Sequence, residues 1–492
     1  MSERMKIARA VAPILLILAL GACSGPSLPF QAKHDPSLAP IQTAYNALMD
    51  NYVDQPSPAL LLEGAYQGAR QVLASQGIQD SELSAPGWDN SQSSANWDRF
   101  STAYDQLAAK YAGRVGSNNL EYGAINGMAD SLKDCQTRYY PPAALQQRQA
   151  EVNGQQQFGG IGVLMRNIPG HPTVLRVLDG PARSSGLKPG DEIVAVDGKS
   201  TAGQTFEDVR NSIRGPEGQP VKITVKRPGT ANTLDFSIPR AQIQAPILDA
   251  AILGGSVGYI HLYSFPANIA GQIDNALSVM DQRNVDSVIF DVRANTGGDQ
   301  QAILQVLSRF VKGGTTVETQ LDRSGQKTPY TVDGSSYWQN PKPLVVLADN
   351  DTQSGGEMFA KAMQEEGGYQ VIGMPTSGCA ASAHMFDVGD GSGLEISIGK
   401  IVSGRGADIN RVGVKPDQQV DYPVSDLAAG NDPQLAAAIT ALHSGAVSPA
   451  QSAQPQPRLS REPKPAVPPA SNSGSSALIK PLVPTTATSV LK

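Results

Sequence analysis

The spacing of hydrophobic positions divides the chain into three patterned regions. From Ile41 to Val53, apolar residues recur at steps of three and four, which predicts an amphipathic helix at the start of a helical domain over 41–150. From 157 to 240, short apolar runs alternate with glycine turns, a pattern typical of short strands. From 245 to 444, strand–turn–helix units follow one another. We therefore predict an α+β fold built from several domains.

Two glycine turns in the third region are expected to lie close together. The apolar strand 288–292 runs into the double glycine 297–298 and a helix, and the strand 344–347 runs into Ser354, Gly355 and another helix. Repeated units of this kind predict a parallel sheet, whose strands all end at one edge. Ligands bind at that edge, so both turns are candidates for a functional site.

The start of the chain looks like the signal of a bacterial lipoprotein. A basic stretch is followed by the apolar run Val11 to Leu20, which is too short to span a bilayer, and then by Cys23. In such signals the cysteine carries the lipid and becomes the new N-terminus. We therefore expect a signal peptide over 1–23 and an exported protein, lipid-anchored to the cell envelope on its periplasmic or extracellular face. The alternative is an ordinary secretory signal with an incidental cysteine.

Composition predicts two segments that cannot form a hydrophobic core, and it argues against nucleic acid, a metal or a cofactor as partners. Residues 24–40 are polar and contain proline, which indicates a tether, and residues 445–492 are rich in Pro, Ser, Ala and Gln, which indicates a disordered tail. A net charge of −6 over 492 residues gives no basic surface for nucleic acid. The sequence has no CxxC or HExxH motif, so we expect neither a metal nor a cofactor.

The second region resembles a PDZ domain. Its run from Ala182 to Ile193 reads A-x-x-x-G-L-x-P-G-D-x-I, and a glycine-rich run precedes it. A PDZ domain binds an extended peptide C-terminus as an added strand and holds the terminal carboxylate with loop N–H groups. The resemblance implies that Gly160, Ile161 and Gly162 form this carboxylate loop.

Ser354 is the candidate nucleophile. It precedes a predicted helix, where free backbone N–H groups and the positive end of the helix dipole stabilise negative charge. The N–H of Gly355, together with that of Gly297 or Gly298, would hold the oxyanion that forms when the hydroxyl attacks a carbonyl. Serine is also a common helix N-cap, so the local sequence leaves a purely structural role open.

From 132 to 417 the chain resembles the carboxy-terminal processing peptidases, also called tail-specific proteases. The resemblance implies a helical N-terminal domain, an inserted PDZ domain and a protease core of crotonase-like α/β fold. It also implies a serine nucleophile and protein or peptide substrates with exposed C-termini. The features that carry it occur in the family's order, and they are Lys133 to Tyr140, the PDZ-like region, Gly258 to Phe265, Asp291 to Gly298, the Ser354 segment and Gly413 to Asp417.

The chain departs from this family at the general base. The family's lysine follows the serine at a spacing that here falls on Cys379, and the glutamine that supports the lysine is replaced by Ala383. Some distant relatives use a histidine in the segment before the PDZ domain, and that place is Gln136. His384 is near in sequence, but strand alternation puts it on the opposite face from 379 unless a bulge intervenes. The sequence therefore assigns no base.

Cys135 and Cys379 are a candidate disulfide. Export favours oxidised thiols, and lipidation of Cys23 leaves this even pair. The resemblance places both cysteines near Ser354, although two buried free thiols are also compatible with the sequence. Two functions stay open: an exported serine endopeptidase, or a peptidase-fold binding or scaffold protein with little or no hydrolysis.

Overall fold

The computed structural model describes residues 38–79, 84–89, 93–152, 157–168, 171–204, 206–244 and 246–444. The predicted signal peptide with Cys23, most of the predicted tether and the predicted tail over 445–492 lie outside the described residues. Within the described ranges, no helix is long and apolar enough to cross a membrane.

The first region is a bundle of helices around an aromatic core, as its apolar spacing predicts. Trp97 and Phe100 are buried in this core. Glycines allow two of the helices to pack closely, since a Cβ on Gly68 would lie 2.0 Å from the carbonyl oxygen of Gly123. The elements are α1 (Ala39–Asn51), α2 (Pro58–Ser75), α3 (Ser93–Val115), α4 (Ser117–Ser131), β1 (Arg138–Tyr140) and α5 (Pro142–Val152).

The second region is a small sheet with a separate two-stranded ribbon. Its elements are β2 (Gln157–Gly160), β3 (Val163–Ile168), β4 (His171–Val177), α6 (Pro181–Ser185), β5 (Glu192–Val196), β6 (Lys199–Ser200), α7 (Phe206–Ile213), β7 (Pro220–Lys226), β8 (Leu234–Pro239) and β9 (Ala241–Gln244). The sheet order is β3-β4-β5-β7-β8, with β6 beside β5, and β2 pairs with β9 to form the ribbon. Val174, Ile193 and Ile223 are fully buried at its centre.

The third region contains the predicted parallel sheet. Its elements are β10 (Leu248–Leu253), β11 (Val257–Leu262), α8 (Ile269–Gln282), β12 (Ser287–Asp291), α9 (Gln300–Leu307), β13 (Thr316–Asp322), β14 (Lys327–Thr331), β15 (Leu344–Ala348), α10 (Gly355–Glu365), β16 (Gln370–Gly373), β17 (Ala381–Asp387), β18 (Gly393–Ser403), β19 (Gln418–Gln419), α11 (Val424–Ala429) and α12 (Pro433–His443).

Helices cover both faces of this sheet, which explains why its central strands are continuously apolar. The order is β10-β11-β12-β15-β16-β19, and all strands after β10 run parallel. Phe290 and Val346 pack toward α8, α9 and α10, whereas Ile289 and Val345 pack toward α12. Every residue of β12 and β15 is buried as a result.

A second, antiparallel sheet lies beside the first and was not expected from the sequence. Its long strand β18 pairs with β1, β13 and β17, and β13 pairs with β14. The segment 138–140, placed by sequence within the helical domain, is a strand in which Tyr139 pairs with Leu394. A three-residue strand is too short for its periodicity to be recognised, and its partner is distant in sequence.

Candidate active site

Ser354 lies in the turn between β15 and α10, at the carboxyl edge of the parallel sheet. It directly precedes α10, and its backbone has φ 51° and ψ −123°. A positive φ is costly for a residue with a Cβ, so the surrounding contacts must maintain it. The neighbouring turn is in direct contact: a Cβ on Gly297 would lie 2.8 Å from the Ser354 Cβ and 2.6 Å from the Gly355 nitrogen. The two turns singled out in the sequence therefore meet.

Two backbone amides beside Ser354 are free to bind an oxyanion. Among the described residues, no hydrogen bond uses the N–H of Gly355 or that of Gly298. The N–H of Gly297 instead donates to the side-chain oxygen of the fully buried Asn295 at 2.8 Å. Of the two glycines offered as second donor, Gly298 is thus the available one. The sequence could not separate them, because the competing acceptor depends on the rotamer of Asn295.

The buried carboxylate of Glu357 links the turn at Ser354 to the segment around Cys379. It accepts hydrogen bonds from the N–H groups of Ser354 at 3.2 Å, Gly378 at 2.7 Å and Cys379 at 2.8 Å. Burial raises the pKa of Glu357, and hydrogen bonds from the Thr376 hydroxyl and from the N–H groups of Gly378 and Cys379 oppose the rise. Its place three residues after a serine at a helix start is the sequence signal of a capping box. Glu357 therefore sets the distance between the two segments.

A disulfide joins Cys379 and Cys135 next to Ser354. Their α-carbons lie 5.8 Å apart, although 244 residues separate them in sequence. The carbonyl oxygen of Cys379 accepts the Ser354 N–H at 2.9 Å and the side-chain N–H of Gln136 at 3.0 Å. The family's base position and the segment before the PDZ region thus converge on the candidate nucleophile. While Cys379 is oxidised it has no thiolate and cannot accept a proton.

Within the described residues, no lysine or histidine forms a hydrogen bond or ion pair with Ser354. Lys361, on α10, forms an ion pair with Glu365 at 3.0 Å. His384 is exposed, with its ring edge-on to Phe386. The β17–β18 register is irregular between 382 and 383, but the extra residue lies on β18. Strand β17 keeps its alternation, so the bulge does not turn His384 toward the base position.

One cavity connects the surroundings of Ser354 with the PDZ region. It has a volume of about 210 Å³, and its wall includes Gly298 together with Gly160, Ile161 and Gly162. Among the described residues, no hydrogen bond uses the N–H of Ile161 or that of Gly162. Gly160 ends strand β2. The rest of the wall includes apolar side chains, among them Leu164, Phe206 and Ile213, and charged ones such as Arg210 and Arg214.

A buried cluster fixes the loop before the nucleophile to the PDZ region. Arg166, on β3, has its Nε 3.8 Å from Asp349 and 3.7 Å from Asp351. Its guanidinium also donates to Asn350 at 3.1 Å, and the N–H of Asn167 donates to Asp351 at 3.1 Å. Burial and the neighbouring Asp349 raise the pKa of Asp351 to about 8. The sequence does not reveal this cluster, because its two halves belong to different domains.

A second buried network fixes the turn after β12. Although burial by itself would raise the pKa of Asp291, Arg293 lowers it to about 2. The Arg293 guanidinium donates to Asp291 at 2.6 Å, to Asp432 at 2.9 Å and to Gln434 at 3.0 Å. The Nε2 of His261 lies 3.0 Å from the carbonyl oxygen of Arg293. His261 is therefore a packed histidine of this network, which anchors the start of α12 beneath the glycine turn.

The three regions and the arrangement around Ser354 define a multidomain peptidase fold with an inserted peptide-binding module. Family comparisons agree with this architecture along most of the described chain. Residues 256–420 match peptidase family S41, residues 173–227 match the PDZ domain, and residues 69–141 match the N-terminal domain of the activating protease CtpB.

Similarity to individual proteins extends over most of the chain and identifies its family. The chain is 30% identical over 351 residues to a carboxyl-terminal-processing protease of Synechocystis sp. (strain ATCC 27184 / PCC 6803 / Kazusa), covering 69% of this chain and 81% of that protein. It is 28% identical over 364 residues to the carboxy-terminal processing protease CtpB of Bacillus subtilis (strain 168), covering 73% of this chain and 75% of that protein. The chain belongs to peptidase family S41, among the carboxy-terminal processing proteases that contain a PDZ domain.

A solved structure supports the fold independently. The photosystem II D1 C-terminal processing protease superposes with a TM-score of 0.53 at 22% sequence identity, covering 80% of this chain and 97% of that one. At this identity the likeness concerns the fold alone. The α+β fold with a helical N-terminal region, a PDZ domain and a protease core, expected from the sequence, is therefore confirmed.

Proposed function

We propose that the protein is an exported serine endopeptidase that binds protein C-termini through its PDZ domain and cleaves with Ser354. One observation carries the proposal. Gly355 directly follows Ser354, and Gly297 contacts both of them. The next residue, Gly298, has an unused amide like that of Gly355 and shares a cavity with the PDZ loop 160–162. Membership of a protease family supports hydrolysis over the scaffold alternative.

The amides supply the electrostatic part of acyl transfer. When the Ser354 hydroxyl attacks a peptide carbonyl, negative charge develops on the carbonyl oxygen. The Gly355 and Gly298 N–H groups donate to that oxygen, and the positive end of the α10 dipole adds to the stabilisation. Loss of one such donor typically costs about 10²–10³-fold in rate. This machinery needs no metal or cofactor.

The PDZ loop supplies the recognition of a chain end. The unused N–H groups of Ile161 and Gly162 can donate to a terminal carboxylate, as loop amides do in PDZ domains. The apolar wall formed by Leu164, Phe206 and Ile213 suits an apolar last side chain. A protein substrate with an exposed, apolar C-terminus fits both features.

The oxidised protein lacks the base that would make this reaction fast. General-base help is typically worth about 10²–10⁴-fold, and Cys379 cannot give it within the disulfide. We therefore expect slow hydrolysis by the oxidised form. Oxyanion stabilisation and positioning persist without the base, so a residual rate above that of water is expected.

Export and lipid anchoring belong to the same proposal and rest on the sequence over 1–23. The lipid would attach at Cys23 and hold the protein at the membrane surface. Intact-mass analysis of membrane-extracted protein tests this part. An unmodified Cys23, or cleavage at another position, contradicts it.

A serine-directed fluorophosphonate probe tests the nucleophile. We expect labelling of the wild type, with the label located at Ser354 by peptide mass spectrometry, and none of Ser354→Ala. Ser382→Ala, on strand β17, is the matched control and should be labelled like the wild type. If the folded wild type is not labelled, and no variant with a restored base is labelled either, the protein is a peptidase-fold binding protein.

A further inference from the structure

The two cysteines of the disulfide differ in their exposure to solvent. Cys135 is exposed, in the segment that leads from α4 to β1. Cys379 is only 6% exposed, beneath it. A thiol from solution therefore approaches the disulfide from the side of Cys135, whereas Cys379 is shielded. Thiol–disulfide exchange depends on which sulfur is attacked and on access to it, so attack at Cys135 is favoured.

The backbone of Cys379 is held against Ser354 by contacts that do not involve the disulfide. Its carbonyl oxygen accepts the Ser354 N–H at 2.9 Å, and its N–H donates to Glu357 at 2.8 Å. Gln136 donates to the same carbonyl at 3.0 Å. Breaking the sulfur–sulfur bond removes none of these hydrogen bonds. The backbone of Cys379 thus stays bonded to that of Ser354 after reduction.

We propose that Cys379 is the general base of this protein and that the disulfide masks it. This inference rests on the proposed function, because it needs Ser354 as the nucleophile. Once reduced, the Cys379 thiolate accepts the proton of the Ser354 hydroxyl, directly or through one water. The backbone hydrogen bond of 2.9 Å between the two residues holds their main chains together, and either route needs the thiolate within hydrogen-bond reach of the hydroxyl or of one bridging water.

The unmasking step is an ordinary thiol–disulfide exchange. The thiolate of a thiol or dithiol reductant attacks the Cys135 sulfur, a bond forms between these two sulfurs, and the bond to Cys379 breaks. Its electron pair leaves with Cys379 as a thiolate. A second thiol of the reductant then resolves the mixed disulfide, so that two electrons in total pass to the protein and the reductant ends as a disulfide.

Two single variants separate the thiol from the loss of the disulfide. Cys135→Ser and Cys379→Ser both abolish the cross-link, but only Cys135→Ser keeps the Cys379 thiol. Full-length wild type and both variants are assayed for fluorophosphonate labelling and for cleavage of an unfolded substrate, with and without dithiothreitol. We expect dithiothreitol to accelerate the wild type by about 10²-fold or more. Cys135→Ser should be fast without it, and Cys379→Ser should stay slow in both conditions.

Alkylation distinguishes a Cys379 thiol that takes part in the reaction from a disulfide that only restrains the structure. Iodoacetamide should modify Cys379 only after reduction and should abolish the gain in cleavage, with the modified peptide identified by mass spectrometry. Equally fast Cys379→Ser and Cys135→Ser variants would overturn the proposal, since the disulfide would then act only as a restraint. Retained cleavage by Cys135→Ser carrying Ser354→Ala would also overturn it, because Cys379 would then be the nucleophile.

The outcome also distinguishes this inference from the proposed function. If wild type labels at Ser354 but reduction changes nothing, Cys379 is not the base and the serine peptidase assignment stands. If no form labels, including a variant with a lysine at the base position, the proposed function fails and this inference fails with it.

Discussion

Replacing Gly298 by alanine tests the oxyanion site most directly. The added Cβ would lie 2.3 Å from the carbonyl oxygen and 2.7 Å from the carbonyl carbon of Phe265. These are backbone atoms, and they cannot move freely, because Phe265 donates to Gly297 at 2.9 Å and accepts from Asp299 at 2.7 Å. Relief of the contact therefore requires the glycine turn itself to shift by roughly 1 Å, which is enough to misalign a hydrogen bond.

The expected loss is that of one oxyanion donor, about 10²–10³-fold in the rate of fluorophosphonate labelling and of cleavage. The backbone adds to the effect, since Gly298 has φ 150°, a conformation that side chains disfavour. Gly271→Ala is the matched control: it lies on α8, nothing lies within 4 Å of its added Cβ, and its labelling rate should not change. A folded Gly298→Ala protein that labels within about threefold of wild type would refute the role of this amide.

Three further predictions concern recognition, the base and pH. Peptides with a free, apolar C-terminus should bind more tightly than their amidated forms in a fluorescence titration, because the loop 160–162 favours a carboxylate; equal affinities exclude carboxylate capture. Cys379→Lys combined with Ala383→Gln and Cys135→Ser should raise Ser354-dependent cleavage by about 10²-fold or more; an unchanged rate means that the missing base is not what limits hydrolysis. The pKa of Asp351 rises from 3.8 to about 8 on folding, so this carboxyl stabilises the fold at low pH and loses that contribution as the pH rises toward and through 8. Thermal unfolding measured from about pH 5 to about pH 9 tests this. The unfolding temperature of the wild type should fall with rising pH relative to that of Asp351→Asn. If the two proteins show the same dependence on pH, the burial of this carboxyl is contradicted.

The sequence predicted two kinds of feature: the local conformation of short segments and the order of motifs along the chain. Steps of three and four residues indicate helices because side chains at those steps share a face, and continuous apolar runs before glycine turns indicate parallel strands covered on both sides. The order of the motifs from 132 to 417 led to the family without any knowledge of contacts. The departure at Cys379 also followed from counting residues after Ser354.

The tertiary structure decided which neighbouring groups are available for chemistry. Whether Gly297 or Gly298 can donate depends on the side chain of Asn295, and the spacing of glycines carries no information on it. The role of Glu357 depends on the return of the chain at 376–379 to the helix start. Hydrogen bonds act over about 3 Å. The same local sequence can therefore differ in function, depending on which distant segment packs against it.

The contacts that join the domains also depend on the tertiary structure. Arg166 and Asn350 are 184 residues apart, and neither shows a pattern that would identify the other. The pairing of Cys135 with Cys379 was expected from export and resemblance, but the exposure of one cysteine and the burial of the other followed only from the packing of both segments beside Ser354. Local sequence determines the conformation of short segments, because it acts through steric and periodic preferences. Long-range packing determines which functional groups face each other, because it depends on the whole chain.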